Sequence, residues 1–516
     1  MRFAVSVLFV SVAHGAVLNH TWREARLGLT TEDGSAEVEW VSPLSFCVLR
    51  AWGAVPVQGL KVKHDPVLVA LEDLPGMFRM RTRYLTVEIA KADLSVQVRN
   101  SESFLASMEM VHSVTGTQLR VAPMDHVYGL RGGNSPTLDL HGRKIDAASG
   151  LLYTSHGYGL YFPRTLSFDF ATNTMSERGA GSIQVVFYHG PQPKEILEQH
   201  QIVTGETEVT SESLRLLRDG DLPGEATRLP QAKVDTWEAL AALVRTLNHW
   251  SLSAVLYPAF DLASIGGPVR ERAQELAEVL PLVYSSRPDQ PALQGSLRDE
   301  LRPYLTTYLR EAHDRGLPLI HPFPMQFSRD AGSDQESEVF LLGDELLVAP
   351  VLTAGTKKEL KLPRGIWTDL RTNTEYRGNQ TIEFDAPLGR VPLFARNGSL
   401  VPLSQGAKME LHYFPSLGGE FFLWEPDADD NSQFHAAPAG DLIRVEVESK
   451  MGRLYEWVLH HTKTPGDVFE ESMKYTPARS RAELRPGMWW EDEVRNDLHI
   501  QLRAAAGSDR IIHVTY

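Results

Sequence analysis

Cysteine is nearly absent from this chain: Cys47 is the only one among 516 residues. A single thiol cannot form a disulfide within the chain, and it cannot build a zinc site from several cysteines. The sequence also has no H-E-x-x-H pair, no nucleotide-binding glycine pattern and no G-x-S-x-G nucleophile motif. We therefore predict no metal site and no cofactor.

Basic tracts are missing as well, and acidic residues outnumber basic ones by 66 to 51. The net charge is −15 at pH 7, with Asp and Glu spread along the chain. Such a chain repels phosphate backbones, so nucleic acid is excluded as a partner. The rest of the composition is ordinary for globular proteins, with 42% hydrophobic and 23% charged residues, and the length suits several domains.

Long apolar runs are absent after the N-terminus. None approaches the roughly 20 residues that a membrane-spanning helix needs, so no membrane span is predicted. The segment 1–17 has one Arg, an apolar run at 3–13, and the small residues Ala13 and Gly15 at the spacing of a signal-cleavage site. We predict a signal peptide at 1–15 and a secreted or endomembrane location; a first β-strand is the alternative. Three sequons fit that location: Asn19, Asn379 and Asn397.

The stretch 338–403 organises the chain. Continuous apolar runs at 340–342 and 346–351 flank a polar corner at Gly343-Asp344, which is typical of strands buried on both faces. After Gly355 the pattern changes to short alternating strands separated by turn residues. The stretch therefore predicts a junction between an α/β domain and a β domain. Two unrelated β fragments are the alternative interpretation.

The part before this junction divides into three segments. Residues 16–205 show short alternating strands with Asp-Gly and Gly-Gly corners, which predicts an N-terminal β-sandwich. Residues 206–236 are polar and aperiodic, so we predict a linker or insert. Residues 237–352 alternate helices and strands, as parallel α/β domains do. A complete eightfold barrel takes about 250 residues, so this segment predicts only a partial (β/α)8-type barrel.

The part after the junction is β-rich throughout. We predict a proximal C-terminal β-sandwich at 353–410 and a distal β-rich domain at 411–516, which makes the whole chain a multidomain β plus α/β protein. An acidic cluster in the distal domain lacks the Gly and the distal Glu of an EF-hand loop. We predict a solvated turn there and no calcium site; the cluster is Asp427, Asp429, Asp430 and Asn431.

Several of these segments together resemble glycoside hydrolase family 31, the α-glucosidase and α-xylosidase family. They are LLGDELLVAPV, LPRGIWTDL, FDAPLGRVPLFARNGSLVPL, RGLPLIHPFP, GYGLYFPRTLSFDF and PKEILEQHQIVTG. The resemblance implies an N-terminal sandwich, a catalytic barrel and two C-terminal sandwiches. It also implies retaining hydrolysis of α-glucosidic or α-xylosidic bonds, with an α-linked glycan or oligosaccharide as the ligand.

Retaining hydrolysis needs two carboxyl groups about 5–5.5 Å apart. The family nucleophile is an Asp in a W-x-D-x-N-E segment, which does not occur here; the look-alike at 367–369 lies in the LPRGIWTDL strand. The family acid/base precedes a Trp that matches Trp237, and Asp235 is the only carboxylate close by. Asp235 is thus a weak catalytic candidate, with capping of the following helix as the simpler role.

A substrate contact of the family has a better match. Asp261 stands where the D-I-G-G aspartate of the family binds a sugar hydroxyl, although 262–264 are inserted after it. The family Arg-Asn-His segment falls on 284–286, which lack both functional side chains. For His313 and His321 we predict structural roles.

The function predicted from the sequence is a family 31 homologue that has lost its nucleophile and acid/base and hydrolyses nothing. It would keep carbohydrate binding, a chaperoning or regulatory role, or no role. One alternative is an active α-glycosidase with a remodelled site that uses Asp261 and a second carboxylate. Another is an incomplete gene model that lacks exons. Because a partial barrel has an open edge, we also predict that 206–236 or a partner chain covers it.

Overall fold

The computed structural model describes residues 15–54, 66–132, 135–205, 226–229, 233–287, 293, 296–328, 330 and 332–516. The predicted signal peptide, apart from its last residue, and most of the predicted linker lie outside these residues. The chain forms two compact units. The first is Met1–Gly133 with Asp139–Gly205, and the second is Asn134–Leu138 with Glu206–Tyr516.

The first unit contains one antiparallel sheet of 15 strands. The strand order is β1-β2-β3-β4-β15-β13-β14-β10-β9-β8-β7-β6-β5, with β12 also paired to β13 and β11 to β12. The strands are β1 Val17–Arg23, β2 Arg26–Thr31, β3 Gly34–Ser42, β4 Ser45–Trp52, β5 Ala70–Asp73, β6 Met77–Arg81, β7 Thr86–Ala90, β8 Val96–Arg99, β9 Phe104–Ser113, β10 Gly116–Ala122, β11 Val127–Gly129, β12 Lys144–Thr154, β13 Tyr158–Asp169, β14 Thr174–Arg178 and β15 Ser182–His189.

The alternation of side chains explains why these segments are strands. On β6, Phe78 and Met80 are buried, whereas Met77, Arg79 and Arg81, which alternate with them, are more exposed. They lie opposite Ile89 and Val87 of β7, so every second residue enters the core. Helix α1, Pro193–Thr204, follows the sheet, and Pro193 in its first turn and a capping box favour its start there.

The second unit begins with a parallel sheet of three short strands. These are β16 Thr227–Arg228, β17 Pro258–Asp261 and β18 Leu282–Tyr284. In the part of this unit that the structure describes, four helices accompany them and the strands that follow: α2 Trp237–Ser251, α3 Arg270–Ala277, α4 Ser296–Arg315 and α5 Phe323–Gln326. On α2, Leu240, Val244 and Leu247 recur at helical spacing and are buried. No helix in the described residues is both long and apolar enough to cross a membrane.

The next sheet has six strands in the order β19-β20-β21-β26-β23-β24. Its strands are β19 Ile320–His321, β20 Phe340–Leu342, β21 Leu346–Val348, β23 Ile366–Asp369, β24 Glu375–Arg377 and β26 Leu393–Arg396. The two predicted apolar strands are β20 and β21, and they turn at Gly343, whose φ is +61°. The strand at 320 does not continue the parallel series, because Ile320 pairs antiparallel with Leu342.

The remaining strands form three sheets. One pairs β22 Lys357–Leu362 with β25 Gln380–Asp385; the others have the orders β27-β28-β32-β37-β36-β35 and β29-β30-β31-β38-β33-β34. Their strands are β27 Leu400–Gln405, β28 Lys408–Tyr413, β29 Gly419–Glu425, β30 Asp430–Ala439, β31 Leu442–Ser449, β32 Arg453–Leu459, β33 Asp467–Glu470, β34 Met473–Lys474, β35 Thr476–Pro477, β36 Met488–Asp492, β37 Asp497–Ala504 and β38 Ser508–Thr515. The predicted β-rich multidomain architecture with C-terminal sheets is confirmed; the barrel and the domain limits stay predictions.

Candidate functional site

Asp261 is the last residue of β17, at the carboxyl end of the parallel sheet. Its side chain is buried, and Oδ1 accepts hydrogen bonds from Ala263 N at 2.9 Å and Ser286 N at 3.0 Å. Asp261 thereby joins the 3-10 turn after its own strand to the loop after β18. The three residues that the sequence shows as an insertion, Leu262–Ser264, are this 3-10 turn.

The electrostatic surroundings keep Asp261 ionised. Burial by itself would raise the pKa of this carboxyl group. Hydrogen bonds from Ser286 and Ala263, with the charge of Arg287, outweigh burial and hold the pKa below its ordinary value. A carboxylate has about four acceptor positions, so the two backbone donors and the Ser286 side chain leave capacity for a ligand hydroxyl.

An aromatic ring and a cation lie on the two strands that flank β17. Tyr284 is the residue opposite Asp261 in the parallel register of β17 and β18. The guanidinium carbon of Arg228, at the end of β16, lies 5.8 Å from the centroid of the Tyr284 ring. Arg228 and Tyr284 therefore lie near each other, and the strand register places Tyr284 opposite Asp261.

Sequence reasoning missed Arg228. It lies in the stretch interpreted as a linker or insert, where no periodic signal predicts a strand. A strand of two residues, Thr227–Arg228, is too short to produce one. The pairing of β16 with β17, Thr227 with Pro258 and Arg228 with Ala259, brings Arg228 to the candidate site.

Asp235 lies against the loop that follows β17. Val234 forms a parallel bridge with Ile265, and an ideal Cβ on Gly267 would lie 2.3 Å from Asp235 O. The helix cap assigned to Asp235 is supplied instead by Thr236, whose side chain accepts from Ala239 N at 3.1 Å. Thr236 is the cap because it is the residue directly before the first helical residue, where a side-chain oxygen reaches the free backbone donors. A catalytic role for Asp235 stays a prediction.

The Trp-Thr-Asp look-alike has the expected location in a β-sheet. Asp369 ends β23, and its Oδ1 accepts from Arg371 N at 2.8 Å and Thr372 N at 3.3 Å. Trp367 is fully buried in the core of this part of the unit. Both contacts of Asp369 stabilise the turn that follows β23, which is a structural role.

Two further acidic groups lie in the second unit, at 427–430 and at Glu345. Asp429 accepts from Arg310 Nη1 at 3.0 Å, and Asp430 lies 3.3 Å from Lys450 Nζ, so basic side chains neutralise this exposed turn. Glu345 is a half-buried carboxyl group that accepts from the hydroxyls of Tyr304 and Tyr308 at 2.6 and 2.7 Å. Burial raises the pKa of Glu345 to about 7. Sequence reasoning did not single out Glu345.

The two histidines with predicted structural roles have carboxylate neighbours. His321 Nδ1 lies 3.0 Å from Asp344 Oδ1, and the His321 ring is almost fully buried. His313 Nδ1 lies 2.7 Å from Asp314 Oδ1 near the end of α4. These contacts suit a structural function, which stays a prediction for both residues.

Comparison with known proteins gives one consistent family. Residues 316–401 match the model of the glycosyl hydrolase family 31 C-terminal domain. The chain is 37% identical over 188 residues to a probable glucan 1,3-α-glucosidase of Arabidopsis thaliana, covering 32% of this chain and 20% of that protein. It is 28% identical over 167 residues to α-glucosidase 2 of Bacillus thermoamyloliquefaciens, covering 30% of this chain and 21% of that protein. The matches thus span about a fifth of each relative.

Solved structures extend the likeness to nearly the whole chain at the level of fold. A GH31 dextranase of Flavobacterium johnsoniae complexed with glucose has a TM-score of 0.81 at 15% identity, covering 98% of this chain and 100% of the dextranase. A glucosidase II α subunit has a TM-score of 0.74 at 10% identity, covering 99% of this chain and 97% of that one. Identities this low establish the fold and do not transfer an activity.

Proposed function

Because this chain belongs to glycoside hydrolase family 31, we propose that it binds α-linked glucose oligosaccharides without hydrolysing them. The proposed binding site is the group formed by Arg228, Asp261 and Tyr284 at the ends of β16, β17 and β18. The partial barrel predicted from the sequence would carry this site at the carboxyl ends of its strands, where α/β proteins bind their ligands.

Asp261 carries the proposal. It is an ionised acceptor held in place by two backbone donors, and sugar hydroxyls are donors that a carboxylate binds well. Tyr284, on the neighbouring strand, would add an apolar face and a hydroxyl, and Arg228 would add donors. The glucose complex of the Flavobacterium dextranase supports a glucose-based ligand.

The proposed loss of hydrolysis is supported by the absence of the family nucleophile segment from the sequence. In the described residues 226–229, 258–265 and 282–287, Asp261 is the one carboxylate that the strand ends and their following turns provide. A retaining mechanism needs a nucleophile and an acid/base close together. Without the covalent nucleophile, the two-step path is lost and the rate falls by several orders of magnitude. An active enzyme with a remodelled site remains the alternative.

Isothermal titration with isomaltotriose, paired with turnover of an aryl α-glucoside, tests the proposal. We expect binding without turnover in the wild type, at least tenfold weaker binding in Asp261→Ala, and unchanged binding in Asp427→Ala, the same change in an exposed turn. Circular dichroism checks that the variants fold. Absence of binding would refute sugar recognition, whereas turnover that Asp261→Asn abolishes would establish the active enzyme.

Two further expectations are proposals of the same kind. Transport into the secretory pathway is supported by the apolar N-terminal run, and we expect the mature protein, recovered from the medium of expressing cells, to begin at residue 16. Recovery of the protein only from the cytosol would refute it.

An oligomer or partner chain that covers the edge strand β16 would give a mass above that of the 57.6 kDa chain in light scattering. Transcript sequencing across 206–237 tests the incomplete gene model.

A further inference from the structure

We propose that the folded protein carries N-linked glycans at Asn19 and Asn379 and none at Asn397. The inference rests on the proposed secretory location, but the choice among the three sequons comes from their geometry. An oligosaccharide is attached to the side-chain nitrogen of Asn and is bulky, so the folded protein must leave this nitrogen accessible. The three asparagines differ in that respect.

Asn379 lies in the turn between β24 and β25, with φ of +58°. Its backbone nitrogen donates to Leu362 O at 3.0 Å, so main-chain contacts hold the turn. The side chains of Asn379, Gln380 and Thr381 are all exposed. A glycan on Asn379 therefore costs no packing contact of the turn.

Asn19 lies on β1, the terminal strand of the large sheet of the first unit. Its side chain is exposed, and its Oδ1 accepts from His20 N at 2.8 Å, which leaves Nδ2 for attachment. Thr21, the hydroxyl residue of this sequon, is exposed too. A glycan here would also hinder pairing of another chain with the outer edge of β1, because unpaired strand edges invite such pairing.

Asn397 lies in the turn between β26 and β27 and is half-buried. Its Nδ2 donates to both Glu375 Oε1 and Pro415 O at 3.3 Å. Ser399, the hydroxyl residue of this sequon, is buried. A glycan would take one hydrogen from Nδ2 and would have to fit between these partners, so a chain modified at Asn397 could not reach the fold described above.

Expression of the full chain in a eukaryotic secretory host tests the inference. One version keeps the protein's own N-terminus, and a second replaces residues 1–15 with a leader of the host. Peptide-N-glycosidase treatment in H₂¹⁸O, followed by mass spectrometry, reports the occupancy of each asparagine. In the second version we expect most secreted copies to be modified at Asn19 and Asn379 and none at Asn397.

Matched substitutions remove each sequon without touching the asparagine. Thr21→Ala and Thr381→Ala should each remove one glycan mass from the secreted protein, and Ser399→Ala should change nothing. A glycan on Asn397 of folded protein, or an unmodified Asn379, would overturn the inference. If only the version with the host leader is modified, the proposed location is wrong while the choice among sequons stands; sugar binding is measured separately in both versions.

Discussion

His412 Nδ1 lies 2.9 Å from His460 Nε2, at the ends of the neighbouring parallel strands β28 and β32. On the other side of its ring, His460 Nδ1 lies 3.0 Å from Asp497 Oδ1, which also accepts from Asn373 Nδ2 at 2.9 Å. The ring of His460 stacks on Phe414 and is almost fully buried. This polar chain connects β28, β32 and β37 to the turn after β23 inside one unit.

His460→Asn should destabilise the second unit at neutral pH. The substitution removes the His460 donor to Asp497, and this hydrogen bond helps to hold the pKa of Asp497 below its ordinary value. The buried Asp497 carboxylate is then left with fewer partners. We expect a loss of about 2–4 kcal/mol in the free energy of unfolding, measured by urea at pH 7.5. His435→Asn is the matched control on the half-exposed face of β30, and we expect a change within about 0.5 kcal/mol there. Equal effects of the two changes would refute a special role of His460.

The cost of His460→Asn should shrink as the pH falls. Burial lowers the pKa of His460 to about 4, from an ordinary value of 6.5. Between these values the unfolded chain takes up a proton that the folded chain does not, so the wild type loses stability as the pH falls from 6.5 to 4. The difference between wild type and variant should therefore decrease by on the order of 3 kcal/mol across this range. A pH-independent difference would contradict the prediction.

Glu345→Gln should change the pH dependence in the opposite sense. Burial raises the pKa of Glu345 to about 7 from 4.5, so the folded chain holds a proton that the unfolded chain has released. This group thus makes the wild type less stable as the pH rises from 4.5 to 7. Gln cannot titrate, and the stability of Glu345→Gln relative to wild type should rise by about 2–3 kcal/mol between pH 5 and pH 8. Urea unfolding at both pH values measures it; parallel pH profiles would show that Glu345 is ionised in the fold.

Gly343→Ala should cost more than Gly440→Ala. Both glycines have positive φ, +61° and +62°, so an alanine is strained at either position. At Gly343 the new Cβ would lie 2.3 Å from the Tyr308 ring, whereas nothing lies within 4 Å at Gly440. We expect about 1 kcal/mol for Gly440→Ala and a further loss of about 1–3 kcal/mol for Gly343→Ala, from overpacking. Thermal unfolding compares the two, and equal losses would disprove the steric account.

Thr236→Ala should destabilise the protein more than Asp235→Ala. Thr236 supplies the side-chain acceptor for the first turn of α2, and loss of such a cap costs about 1 kcal/mol. Asp235 supplies none of the cap hydrogen bonds observed for α2, so we expect a change within about 0.5 kcal/mol. Urea midpoints decide between the two residues, and the reverse order would restore Asp235 as the cap.

Hydrophobic pattern predicted the local structure of this chain well where the runs are long. The apolar runs at 340–342 and 346–351 predicted buried strands; β20 spans the whole first run and β21 the first half of the second. The segment 237–352 predicted helices that alternate with strands, and α2 is the first of these helices. These signals are local, because a strand or helix repeats its buried positions within a few residues.

The same patterns did not predict contacts between segments that are distant in the sequence. The antiparallel pairing of Ile320 with Leu342 could not be distinguished from a further parallel strand, because a short buried run reads the same in both. Arg228 and Tyr284 meet only through the pairing of β16 and β18 with β17. Glu345 acquires its neighbours from α4, which lies far from it along the chain.

The sequence by itself determined the family resemblance, the β-rich segments and the position of Asp261 at the end of a strand. The tertiary structure decided which groups surround that carboxylate, which residue caps α2, and which of three identical-looking sequons is enclosed by Glu375 and Pro415. The reason is that residue type and spacing fix local conformation, while the pKa, accessibility and partners of a side chain depend on segments that only folding brings together.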